Sequence, residues 1–154
     1  MTGASSGRDG SDLEALYQGI ILDHNRRPKN YGELPAPVHH AAGRNPLCGD
    51  EVAVFVKTEG DTLAEVSFTG KGCAISRASA SLMTGAVKGK SRAQVDALFD
   101  LFHDVVTGRK KAEDHKAELG SLVALGGVAK FPVRVKCASM AWHTLKKALE
   151  TPAT

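Results

Sequence analysis

Cysteine is scarce in this chain and odd in number: three residues, Cys48, Cys73 and Cys137, stand far apart with no Cys-x-x-Cys pair among them. Such a set, in a chain that opens Met-Thr-Gly-Ala-Ser-Ser-Gly without the apolar core of a secretion signal, argues against a disulfide framework and fits the reducing cytoplasm. Aromatic residues are only 5% of the chain, and its 20 Lys and Arg are scattered among 17 Asp and Glu. A basic surface interleaved with aromatics is therefore not expected, and nucleic acid is not the expected partner. No run approaches the roughly 18 to 20 consecutive apolar residues that a membrane-spanning helix needs, so a membrane is not an expected partner either. Internal repeats and low-complexity blocks are lacking as well.

With 42% hydrophobic and 24% charged residues, the composition is that of one globular domain, assigned to residues 11–150. Residues 1–10, rich in Gly and Ser, read as a disordered tail, and 151–154 as a short tail. Ser11 and Glu14 fit a capping box, and Leu13, Leu16, Tyr17, Ile20 and Ile21 recur at helical spacing up to about His24. Four prolines and glycines crowd the segment from Asn25 to Pro37, which reads as a loop, followed by an edge strand at Val38 to Gly43. Val52, Val54 and Val56, then Ala64, Val66 and Phe68, alternate with their neighbours and predict a hairpin turning at Glu59-Gly60-Asp61.

Beyond Gly72, Ile75, Ser79, Leu82, Met83, Ala86 and Val87 share a helical face, which puts Cys73 at a strand-to-helix corner. Ser91 caps a further helix, a shorter helical stretch is expected over about His115 to Leu125, and Phe131-Pro132-Val133 reads as an extended approach to a last helix opened by Cys137. The order predicts an α+β fold, a small antiparallel meander of about three strands packed against several helices segregated to one side.

Each cysteine stands beside residues that let backbone come close: Asn45-Pro46-Leu47-Cys48-Gly49-Asp50, Gly70-Lys71-Gly72-Cys73 and Arg134-Val135-Lys136-Cys137. Three soft sulfurs with the Asp50 carboxylate make a reasonable tetrahedral zinc set, and a helix N-terminus favours the thiolate that binds metal or attacks sulfur. Against this, unpaired cysteines are most often small core hydrophobes. The Pro- and Gly-containing loop that ends in Asp50 and Glu51 is a poor place to hide one, so Cys48 is expected to be accessible.

Taken together, Cys48-Gly49-Asp50, the run Gly70-Lys71-Gly72-Cys73-Ala74-Ile75-Ser76, and Arg134-Val135-Lys136-Cys137-Ala138 with Trp142 resemble the SufU branch of the IscU/NifU-N superfamily. Asp23-His24 and Arg27-Pro28-Lys29-Asn30 share the likeness, which covers about residues 11–150. The scaffold branch, IscU, usually carries His before the third cysteine where this chain has Lys136, and the long segment Ser91 to Lys130 is similar to the SufU insertion.

The resemblance implies an IscU-like sandwich holding zinc through Cys48, Asp50, Cys73 and Cys137. It implies a sulfurtransferase that accepts persulfide sulfur at Cys48 from a pyridoxal-phosphate-dependent cysteine desulfurase of the SufS type. The sulfur would then pass to a downstream Suf cluster-assembly scaffold complex. Two alternatives remain open at this point: a scaffold on which the same residues hold a 2Fe–2S cluster, and a purely structural zinc module.

Arg134 is a candidate for docking the desulfurase, with solvated surface as the equal alternative. His39 and His40, adjacent in a strand, point to opposite faces and make poor joint ligands. His24, His103, His115 and His143 read as structural or surface residues, Tyr17 and Trp142 as core, and Lys71 as an exposed corner lysine.

Overall fold

The computed structural model describes residues 13–46 and 49–154. The tail assigned to residues 1–10, Ser11 of the expected capping box, and Cys48 lie outside the described residues. The chain runs α1 (Leu13–Arg26), β1 (His39–Asn45), β2 (Asp50–Glu59), β3 (Thr62–Lys71), α2 (Ala74–Val87), α3 (Arg92–Val106) and a 3-10 turn (Ala112–His115). A short α4 (Lys116–Leu119), a 3-10 segment (Gly120–Lys130) and the long α5 (Pro132–Glu150) complete it. The fold is α+β, with three antiparallel strands in the order β1-β2-β3.

Valine alternation directs β2: Val52, Val54 and Val56 are buried against α5, while Glu51 and Lys57 face water. On β3 the expected alternation slips. A register shift between Lys57 and Thr58 leaves Ala64 without a partner, so Leu63, fully buried, takes the inward place expected of Ala64. The free edge of β3 is covered by the Pro-rich loop, where Gly32 donates to the Phe68 carbonyl and Phe68 donates to that of Asn30. At the other edge the backbones of Val38 and Thr154 pair in both directions.

Ser91 caps α3 as expected and does so through a capping box with Gln94, which explains where the helix begins. Phe102 of α3 stacks on Trp142 of α5 with ring centres 4.6 Å apart, both within the core. Two expectations at the last helix are corrected. Pro132 is its first residue rather than part of an extended approach, because a proline has no N–H to lose there and its fixed φ suits a helix start. Cys137 therefore lies in the second turn instead of opening the helix. The stretch expected as a helix over His115 to Leu125 is mostly 3-10 and runs on through Gly126 and Gly127. No described helix is long and apolar enough to cross a membrane.

Candidate metal centre

Asp50 opens β2 and Cys73 follows β3, so the hairpin register brings both to one end of the sheet. Gly72 makes the approach possible. Its φ is +153°, and a Cβ there would run into Oδ1 of Asp50. With no side chain in the way, Asp50, 1% exposed, sets Oδ1 against the backbone N–H of Cys73 at 2.9 Å. The buried carboxylate thus gains a hydrogen bond that offsets part of its desolvation.

Cys73 is the N-cap of α2, and its sulfur accepts from the Ser76 N–H at 3.4 Å. Its thiol lies 3.8 Å from Asp50 Oδ2 as donor. Arg77 and Tyr31 tie down the corner from outside, each donating to the Gly70 carbonyl, at 3.3 and 3.2 Å. Lys71 pairs with Glu51 across 3.5 Å in open solvent, a contact of little energetic weight.

Cys137 reaches the same place from α5. It is buried, and its thiol donates to the Val133 carbonyl one turn back at 3.7 Å. What aligns α5 with α2 is small-residue packing by Ala78, Ala138 and Ala141, together with the buried Ser79 hydroxyl donating to the Ala138 carbonyl at 2.5 Å.

The ligand atoms of Asp50, Cys73 and Cys137 all lie within 4.8 Å of one another. Tetrahedral zinc with bonds of about 2.0 to 2.3 Å sets its ligand atoms roughly 3.5 to 3.8 Å apart. The three donors therefore need to draw in by about an ångström at most, and two sulfurs with one carboxylate are a donor set that zinc accepts. Three of the four residues expected from sequence are together; the fourth, Cys48, lies outside the described residues. Arg134 is exposed beside this end of α5, flanked by Phe131 at 57% and Val133 at 67% exposure.

Sequence reasoning grouped Gly70 and Gly72 with the cysteines but missed Ser79 as the residue that aligns the two helices. Its place on the inward face of α2 was the available signal.

A three-stranded meander under helices, with an Asp–Cys–Cys cluster of suitable donors for a metal ion at one end, defines a small α+β protein. The family pattern described as the NifU-like N terminal domain matches residues 16–138. The chain belongs to that family, and hence to the IscU/NifU-N superfamily that its motifs resemble.

It is 42% identical over 143 residues to the iron-sulfur cluster assembly scaffold protein IscU of Streptococcus pyogenes serotype M1, covering 93% of this chain and 88% of that one. To the zinc-dependent sulfurtransferase SufU of Bacillus subtilis it is 40% identical over 139 residues, covering 90% and 92%. A crystal structure from Fervidobacterium islandicum AW-1, put forward as a scaffold protein for the SUF system, superposes with a TM-score of 0.78. There the identity is 31%, over 84% of this chain and 93% of that one.

Proposed function

We propose that this chain is a zinc-dependent sulfur carrier of iron–sulfur cluster assembly, working in the cytoplasm with a cysteine desulfurase of the SufS type. The observation that carries the reading is the convergence of Asp50, Cys73 and Cys137 within 4.8 Å, directly after the Cys48-Gly49 step in sequence. The 40% identity to a relative named a zinc-dependent sulfurtransferase supports it.

In this reading Asp50, Cys73 and Cys137 hold the metal and Cys48 completes the set. Zinc, when bound, favours the thiolate form of its sulfur ligands and adds binding energy to the fold. Cys48 is the acceptor. Its thiolate attacks the outer sulfur of the desulfurase persulfide; a new S–S bond forms on Cys48, the old bond breaks, and the desulfurase cysteine leaves as thiolate. Electrons balance without an outside oxidant, and no free sulfide is released. Asp50 keeps its place throughout through the Cys73 N–H, which occupies Oδ1 and leaves Oδ2 on the sulfur side. Exposed Arg134, with Phe131 and Val133 beside it, supplies a charged and apolar surface for docking the desulfurase. The sulfur then goes to a downstream Suf cluster-assembly complex.

A second reading, a scaffold that holds a 2Fe–2S cluster on the same residues, is favoured by the 42% identity to the streptococcal scaffold protein. The two separate in one assay, the rate of alanine formation by the cognate desulfurase with and without this protein. The carrier reading expects a strong stimulation that Cys48→Ala abolishes. No stimulation by the zinc-loaded wild type sinks it, and visible absorbance with bound iron after anaerobic purification moves the assignment to the scaffold.

A further inference from the structure

Along the outer edge of β1, where α3 and α5 come up against it, lies a cavity of about 490 Å³ that the site described above does not use. Its walls carry Arg44, Lys136 and Lys147, together with His103 and His143, and no carboxylate lines it among the described residues. Arg44, Lys136 and Lys147 are exposed, and gathered without acids on these walls they attract anions to the cavity.

Two buried polar atoms on the same walls have no hydrogen-bond partner among the described residues: the hydroxyl of Ser139, on a residue 7% exposed, and Nδ1 of His103. Unsatisfied buried polar atoms are rare in a settled fold, because each forfeits its hydration without return. His143, exposed at the rim, has its pKa held below the ordinary imidazole value by partial burial first, then by His103 and Lys146. Val135 and Met140 add an apolar stretch, and the volume is that of a pocket for a small organic molecule rather than a single water.

We propose that this cavity binds a small, multiply charged oxyanion, a phosphate or polycarboxylate compound, through Arg44, Lys136 and Lys147, with the Ser139 hydroxyl as a neutral donor. Guanidinium and ammonium groups supply charge-assisted hydrogen bonds to such an anion, and Arg44 offers the planar fork that both phosphate and carboxylate fit. The inference does not rest on the sulfur-carrier reading, and metal content and desulfurase stimulation test that separately.

Inorganic phosphate and succinate, both weak chelators, distinguish the two sources of negative charge. Each is titrated into the purified full chain at constant ionic strength while the amide NMR signals of His103, Ser139 and His143 are followed. Saturable shifts are expected with at least one probe, and the double variant Arg44→Gln/Lys147→Gln should weaken that binding by about tenfold or more. Ser139→Ala, which leaves every charge in place, should weaken it by roughly two- to tenfold. Lys110→Gln, on the surface near Asp104, should leave it unchanged. Shifts that never saturate for either probe, or that respond to Lys110→Gln as much as to the double variant, overturn the proposal.

Discussion

Gly72→Ala concentrates the reasoning about the metal centre in a single methyl group. The added Cβ meets Oδ1, Cγ and Cβ of Asp50, a side chain 1% exposed. Two costs add. A non-glycine residue at φ +153° is strained by about 1 to 3 kcal/mol. Displacing the carboxylate loses a charge-assisted hydrogen bond from the Cys73 N–H, worth about 1.5 to 3 kcal/mol.

Gly60→Ala is the control, because Gly60 also has positive φ, +62°, but nothing lies within 4 Å of its Cβ position. Urea unfolding of the metal-free protein should show Gly72→Ala less stable by about 2.5 to 6 kcal/mol, and Gly60→Ala by only about 1. Zinc affinity by chelator competition should drop about 10- to 100-fold in the first and not in the second. The decisive comparison repeats Gly72→Ala in an Asp50→Ala background. With the carboxylate gone, the substitution should cost less by at least about 1 kcal/mol. An equal cost in both backgrounds would refute the claim that Gly72 exists to admit Asp50.

Cys73→Ser and Cys137→Ser should each lose zinc and stability together, since a metal held by both joins α2 to α5; full metal content in either variant, by elemental analysis, would remove that residue from the ligand set. His24, bonded to Ser81 at 2.7 Å, has its pKa lowered chiefly by burial, with Asp23 opposing and Lys29 assisting. Its unfolded form therefore binds a proton first as pH falls, and stability contributed by the neutral ring is lost from about pH 6.5 downward. Urea midpoints measured between about pH 7.5 and 5.5 should fall less steeply in His24→Gln than in the wild type, the remaining slope including His143, whose shift has the same sign; identical slopes would exclude His24 from the effect.

How far the fold was legible depended on whether one period governed each segment. Val52, Val54 and Val56 declared β2 because one face is buried and the other wet, and Ser91 declared the start of α3 as a side chain suited to a cap. Leu63 was missed since a bulge changes the parity of a strand, and nothing in Thr62 to Glu65 announces the extra residue. Leu16, assigned to the inward stripe of α1, is 57% exposed, while Ile20 and Ile21 do pack on the core. The start of α5 was misread because a proline pushes the residue before it toward extended backbone. Phe131 obeys that rule with φ −131° and ψ 87°, yet Pro132 itself begins the helix. The cysteine motifs carried the family, whereas no local pattern could show that Ser79 would meet Ala138 across two helices.

The earlier start of α5 bears on the departure from the scaffold pattern, Lys136 where IscU usually has His. Successive residues on a helix point about 100° apart, so burying Cys137 toward Asp50 and Cys73 turns its predecessor toward another face. Lys136 is exposed and lines the basic cavity with Arg44 and Lys147. Exchanging an imidazole for an ammonium at this position thus adds a permanent charge to the cavity wall. Lys136→His should consequently weaken oxyanion binding in the cavity, measured by the same phosphate and succinate titrations.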